Sequence, residues 1–408
     1  MEVMYVRCAG LDVHKKTVVA CVRIAAGPTV HREVRTFATS TRALGALRAW
    51  LTSAGVTQVA MEATGVYWKP VWHLLAGSFG LVLANPAHVK AVPGRKTDVN
   101  DATWLADLLA HGLIRGSFVP EPAVRELRDL SRTRKQCVRE RSRHVQRLQK
   151  VLQDANLKLD SVLTDLTGKS GRTILRALIA GETSADALAQ LGDVRLKATA
   201  AELADACCGF VTAHHRFLLK LELDEVEHIE TVIAQLGDRA RALVEPLQTA
   251  VDLVRTAPGF DTIAATAVVA EIGADMSPFP TDGNLVSWAC LCPRSDETAG
   301  KRRSTRTRRG APWLKPVLIQ AAWSAVRVKD SYERALFFWL RARSGSQKAI
   351  VAVAASLLTA IYHMLRKRTP YQSLGPDHFA QLDRDRTRRR LVRRLESLGY
   401  TVDVKDAA

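Results

Sequence analysis

The chain has 408 residues, 47% of them apolar, with 59 Lys and Arg against 41 Asp and Glu and a formal net charge of +18. Such an apolar share excludes wholesale disorder, and the length predicts two or three domains. A protein this basic points to a polyanionic partner, nucleic acid ahead of an anionic membrane.

The first 120 residues predict an α/β unit. Val3 to Ile24 is Val-rich and alternates around Gly10, as a strand pair does. A short helix over Ala43–Thr52 precedes a strand at Val56–Ala63. A helix over Tyr67–Ala76, a strand at Gly80–Ala84 and a helix over Asn100–His111 follow. Strands alternating with helices indicate a sheet covered on at least one face.

From Glu121 the texture changes. Between Pro122 and Pro246 there is no proline, and Leu, Ala, Arg, Glu and Gln dominate, which predicts long helices and an antiparallel coiled-coil hairpin. Residues 121–150 hold ten Lys or Arg against four acids, a pattern equally suited to a solvated helix face and to a nucleic-acid backbone. Thr256 to Gly273 predicts a turn and a small-residue helix resembling half of a helix-hairpin-helix, with Asp261 where that motif has a glycine; a plain loop before a helix fits equally. Ala349–Leu365 approaches membrane length, but Ser356, Thr359 and His363 favour a core helix. Beyond Tyr371 the chain turns polar, with seven arginines in 384–394.

Seven cysteines form no secreted disulfide framework, and neither Cys207-Cys208 nor Cys290-x-Cys292 has zinc-site spacing. The start, MEVMYVRCAGLDVHKK, lacks an apolar signal core, so a cytoplasmic location with no membrane partner is expected.

Four acids stand out by position: Asp12 in GLDVHKK, Glu62 in VAMEATG, and Asp98 and Asp101 in RKTDVNDA. Taken singly, Asp98 suits a helix cap, Asp101 a surface acid and Glu62 a strand end bonded to turn amides. Taken together, acids ending apolar strands and opening a helix suggest a shared cation. Carboxylate-held divalent metals activate nucleophiles and stabilise leaving oxygens in phosphoryl transfer, and Mg²⁺ suits an all-carboxylate set. A second concentration of charge lies at KRRSTRTRRG, where Lys301, Arg302, Arg303, Arg306, Arg308 and Arg309 follow a Gly-containing turn at Asp296–Gly300 and precede an apolar helix starting near Pro312. The run suits either a solvated loop or a scissile phosphate, where Arg forks stabilise developing charge.

GLDVHKKT, AMEATGVYW, NPAHVKAVPGRKTDVNDATWLADLL, APGFDTIAATAVVAEIG and WACLCPRSDETAGKRRSTRTRRGAPWLKPVLIQAAW closely resemble the DEDD transposases of the insertion sequence 110 family, over roughly residues 5–120 and 250–365. The resemblance implies an α/β plus α chain. Residues 1–120 would form a RuvC-like domain of the RNase H fold, 121–245 a helical coiled coil, 246–370 a mainly helical transposase domain and 371–408 a basic tail. It implies Asp12, Glu62, Asp98 and Asp101 as an acidic tetrad binding Mg²⁺. It also implies a bridge-type guide RNA pairing with donor and target DNA, and assembly as dimers and tetramers. The family's nucleophilic serine, thought to bond covalently to a DNA phosphate, corresponds here to Thr298, and a threonine hydroxyl supports the same chemistry. Ser304 and Ser295 are the neighbouring hydroxyls. Two other readings stay open: a RuvC-like nuclease using water, and a non-enzymatic nucleic-acid-binding protein.

Overall fold

A computed structural model describes residues 2–27, 29–63, 65–86, 89, 101–293, 296–298, 301–304, 306–308, 310–379 and 384–403, with backbone alone at 296–298, 301–303 and 384–387. The chain divides into two compact units, Met1–Val119 and Pro120–Ala408.

The first unit runs β1 (Arg7–Val13), β2 (Thr17–Ala26), β3 (Thr29–Ala38), α1 (Thr41–Ser53), β4 (Gln58–Glu62), α2 (Trp68–Leu75), β5 (Gly80–Ala84) and α3 (Asp101–Ala110). The sheet order is β3-β2-β1-β4-β5, with β1–β2 and β2–β3 antiparallel and β1–β4 and β4–β5 parallel. This mixed sheet, followed by a mostly helical remainder, is consistent with an RNase H-like domain. Edge strand β3 leaves no signal in the sequence: its TVHREVRTFA run is charged and largely exposed on both faces, so no alternating pattern marks it. Leu11, Val59 and Met61 on one face of the sheet bury against Leu44, Leu47 and Leu51 of α1 and Val71 and Leu75 of α2. On the other face Cys8 and Ala60 meet Leu109 and Ala110 of α3.

The second unit opens with α4 (Pro122–Asp154), begun by a proline at its first position, where no backbone donor is lost. Four short helices follow, α5 (Leu159–Val162), α6 (Lys169–Ala180), α7 (Ala185–Gln190) and α8 (Ala200–Ala206), and then α9 (Ala213–Val244), begun by the Thr212/His215 capping box. Arg141 meets Glu230 at 2.8 Å, His144 meets Glu222 at 2.7 Å and Asp154 meets His215 at 3.1 Å, so α4 and α9 run antiparallel. Leu148 and Leu152 of α4 and Leu219, Leu223 and Val226 of α9 share a core with the short helices. These short helices interrupt what composition alone suggested as a simple hairpin.

Then come α10 (Gln248–Arg255), α11 (Thr262–Ile272), α12 (Asp282–Trp288), the hairpin β6 (Asp296–Thr298) and β7 (Lys301–Ser304), α13 (Leu314–Ala325), α14 (Tyr332–Ser344), α15 (Ser346–Lys367) and the arginine-rich α16 (Arg384–Ser397). Helix α15 is long and apolar enough to cross a membrane by length and composition. It is instead packed as a core helix: Ile350, Val353, Leu357, Leu358 and Ile361 are buried, and the Tyr362 hydroxyl donates to Phe279 O at 3.0 Å. The anticipated helix-hairpin-helix half is the α10–α11 connection. Asp261 caps α11, its carboxylate accepting the Ala264 N–H at 2.7 Å, so a negative group already occupies the end where a phosphate would sit. The plain loop-to-helix reading is the one that holds.

Candidate active site

Strand register brings two of the four acids together. Leu11 pairs with Met61 across parallel strands β1 and β4, and Asp12 and Glu62 are the next residues on each. Successive side chains on a strand face opposite ways. Leu11 and Met61 face the α1/α2 core, so Asp12 and Glu62 face the α3 side. Asp12 is largely covered and lies 3.0 Å from His14 Nε2.

Helix α3 runs antiparallel to β1. The backbone N–H groups of Met4 and Tyr5 both donate to Ala110 O, and the Cys8 thiol reaches Ala106 O. Gly10 lies against Ala102 and Ala106: a Cβ built on it would be 2.1 Å from Ala102 O and 2.4 Å from Ala106 N. Glycine is therefore required for the helix to come this close. Because Asp101 opens α3 and Asp12 lies two residues beyond Gly10, the helix N-terminus approaches the strand end carrying Asp12. An acid in a helix's first turn is also favoured by the helix dipole. Asp98 lies outside the described residues, and among those described no three acids, histidines or cysteines gather into a metal-holding group. In chemistry, an all-carboxylate set on adjoining strand ends and a facing helix start suits a hard divalent cation.

The fastening of α3 leaves no signal in the sequence. Arg23 of β2 is buried and donates to Asp107 Oδ1 at 2.9 Å, and Arg32 of β3 donates to the same oxygen at 2.9 Å. No periodicity links residues so far apart, although Gly10 inside a Val-rich strand was a usable signal of close approach. Burial pushes the Cys8 thiol up to about 11 and raises that of Cys21, so both behave as packing groups. Asp107→Asn is expected to leave Arg23 buried without its counter-charge and to cost about 2 kcal/mol, less than a fully buried pair because Asp107 is partly exposed. Urea unfolding followed by circular dichroism measures it.

In the second unit the predicted Asp296–Gly300 turn begins instead as strand β6. Its last residue, Thr298, pairs with Lys301, and Asp296 pairs with Ser304 at the other end of the hairpin. Ser304 Oγ accepts the Arg306 N–H at 3.2 Å. Ser295 and Arg309 lie outside the described residues, Lys301, Arg302 and Arg303 lie on β7, and Arg306 is exposed. Arg308 is engaged by the protein itself, donating to Ser287 O at 2.9 Å and to the Ser287 hydroxyl. Lys315 Nζ donates to Thr307 Oγ1 at 2.8 Å and to Cys290 O at 3.1 Å, fixing the segment after the hairpin. Trp313, which follows, has the guanidiniums of Arg132 and Arg139 from α4 over its ring.

Comparison with known families adds two matches. The family model of IS110-type DEDD transposases matches residues 9–157, and that of the transposase IS116/IS110/IS902 family matches residues 251–337, together more than half of the chain. No curated protein matches it. Both matched families are transposases, so DNA is a partner and DNA cutting and rejoining the general activity. The chain belongs to the IS110 family of DEDD transposases, a generally metal-dependent group.

Proposed function

We propose that this transposase is a bridge-RNA-guided recombinase of its own insertion sequence, acting in the cytoplasm as a dimer or tetramer on donor and target DNA. The observation that carries the catalytic part is the pairing of Asp12 and Glu62 on adjoining strand ends, with α3 laid across Gly10 so that Asp101 approaches them. In this reading residues 1–120 are a RuvC-like domain, 121–245 a coiled-coil arm, 246–370 the transposase domain and 371–408 a basic tail.

Asp12, Glu62, Asp98 and Asp101 would hold Mg²⁺. The ion would supply charge stabilisation to the phosphate oxygens. The hydroxyl of Thr298 is the nucleophile: its oxygen bonds to the scissile phosphorus, the bond from phosphorus to the leaving deoxyribose oxygen breaks, the threonine proton passes to a base and the leaving oxygen gains a proton. Rejoining reverses these changes with a different strand's hydroxyl. Thr298 is preferred to Ser304 because it adjoins the connection between the two strands, whereas Ser304 ends the hairpin and already accepts a backbone N–H. Lys301, Arg302, Arg303, Arg306 and Arg309 would meet DNA phosphates, with Arg308 bracing the hairpin base.

Denaturing electrophoresis with end-labelled donor DNA tests the chemistry. The wild-type protein is expected to yield a protein-linked strand and Thr298→Ala none, while RNA copurifying with both stays the same. Cleaved DNA without any protein-linked species would make water the nucleophile.

A further inference from the structure

Away from the acids and the hairpin, α14 carries an unassigned surface. Phe338 is 46% exposed and Trp323 of α13 is 42% exposed, and the two belong to one aromatic cluster. They are joined through buried Phe337, whose ring stands edge-on to both, with centroids 5.6 Å from Trp323 and 5.5 Å from Phe338. The platform is therefore rigid: its central ring is held in the core and its outer rings are presented to solvent.

The two charged side chains over the Phe338 ring are both positive. Arg334, Phe338 and Arg341 are spaced i, i+4, i+7 and share one face of α14. The Arg334 and Arg341 guanidiniums lie 5.2 and 5.8 Å from the Phe338 ring centre. Both arginines are exposed, and neither makes an ion pair among the described residues. Both guanidiniums lie over the ring at cation–π distance, and part of the ring surface still meets solvent.

We infer that Phe338, with Arg334 and Arg341, is a stacking platform for an unpaired base of single-stranded nucleic acid. Aromatic rings accept any base face while neighbouring arginines take the adjoining phosphates. A second copy of this chain is a poor occupant, because an apolar contact there would bury two cations from each copy. A membrane is a poor occupant too, since a single exposed ring pair offers little apolar surface to insert. The inference does not depend on which group attacks DNA.

The test uses the full-length protein and fluorescence anisotropy with labelled oligo(dT), oligo(U) and a hairpin duplex. Phe338→Ala is expected to weaken single-strand binding about 5- to 100-fold, with Phe338→Trp retaining it and duplex affinity unchanged. Arg334→Gln and Arg341→Gln are each expected to reduce the salt dependence of single-strand binding by about 0.7 in log–log slope, which Phe338→Ala leaves intact. Loss on both oligomers assigns the platform to bases irrespective of sugar; loss on one alone assigns it to RNA or to DNA. Unchanged affinity for both oligomers in Phe338→Ala overturns the inference, as does an equal loss on duplex. So does a changed oligomeric state in sedimentation with oligonucleotide affinity intact, which would make the patch a contact between copies.

Discussion

A Gly10→Ala protein is expected to lose both the folding stability of the first unit and DNA cleavage. The added methyl would stand 2.1 Å from Ala102 O, 2.4 Å from Ala106 N and 2.9 Å from Leu105 Cβ. Two of these are backbone atoms of α3, so no side-chain rotation relieves the clash and the helix must lift from the sheet. Overpacking of this kind costs at least about 3 kcal/mol, a fall of roughly 10–20 °C in the first calorimetric transition. Asp101 rides on the displaced helix, so the spacing of the acids fails with it. Two controls separate the effects. Gly45 lies inside α1 with nothing within 4 Å of an added Cβ, so Gly45→Ala is expected to stabilise by about 0.5–1 kcal/mol through helix propensity alone. Asp12→Asn adds no bulk and is expected to leave the transition in place while cutting strand cleavage at least about a hundredfold. Calorimetry and a DNA cleavage assay on the three variants check the set. A Gly10→Ala protein with wild-type melting and cleavage would show that α3 does not lie against this residue.

The first unit was legible in the sequence because its strands are apolar, short and punctuated by glycine and charged turns. Val18, Val22, Val59 and Leu83 are buried, and burial is what leaves a periodic trace in a sequence. Edge strand β3 leaves none, since both its faces meet water and its pairing with β2 is a backbone matter. The candidate acids were legible for a different reason: a carboxylate closing an apolar strand contradicts its surroundings, and such a conflict marks function. What joins them was hidden. The register of β1 on β4 and the crossing of α3 over Gly10 are long-range facts. So is the use of Arg308, which looks like its basic neighbours in sequence yet is tied to Ser287. Charge runs reveal composition, and only the fold tells which charges are already paired.

The largest electrostatic effect in the second unit is expected at Glu271. This residue of α11 is 5% exposed and receives Arg132 in a two-pronged contact, Nε to Oε1 at 2.7 Å and Nη2 to Oε2 at 2.8 Å. Arg128 lies 3.7 Å from Oε2 and also donates to Ala270 O at 3.0 Å and Glu271 O at 2.6 Å, closing the carboxyl end of α11. Burial depresses the Arg128 pKa, and the Glu271 charge opposes that shift. Glu271→Ala removes the counter-charge and leaves Arg128 enclosed, for an expected loss of about 3–5 kcal/mol in urea unfolding. Arg132→Ala is expected to cost less, because the Arg132 side chain is one-third exposed and Arg128 still faces the carboxylate. Replacing both enclosed partners, Arg128→Met with Glu271→Leu, is expected to recover part of the stability, since apolar groups remove the desolvation cost of the pair while the Ala270 and Glu271 carbonyls lose the Arg128 donor. The double variant also tests whether this junction matters to the hairpin. Arg132 stands over Trp313, nine residues after the end of β7, so α4 contacts both α11 and the start of α13 through one side chain. Arg132 is intact in the double variant but has lost the carboxylate that orients it. If urea stability returns and protein–DNA adduct formation does not, the ion pair serves to aim the hairpin; if both return, its role ends at holding α11 to α4.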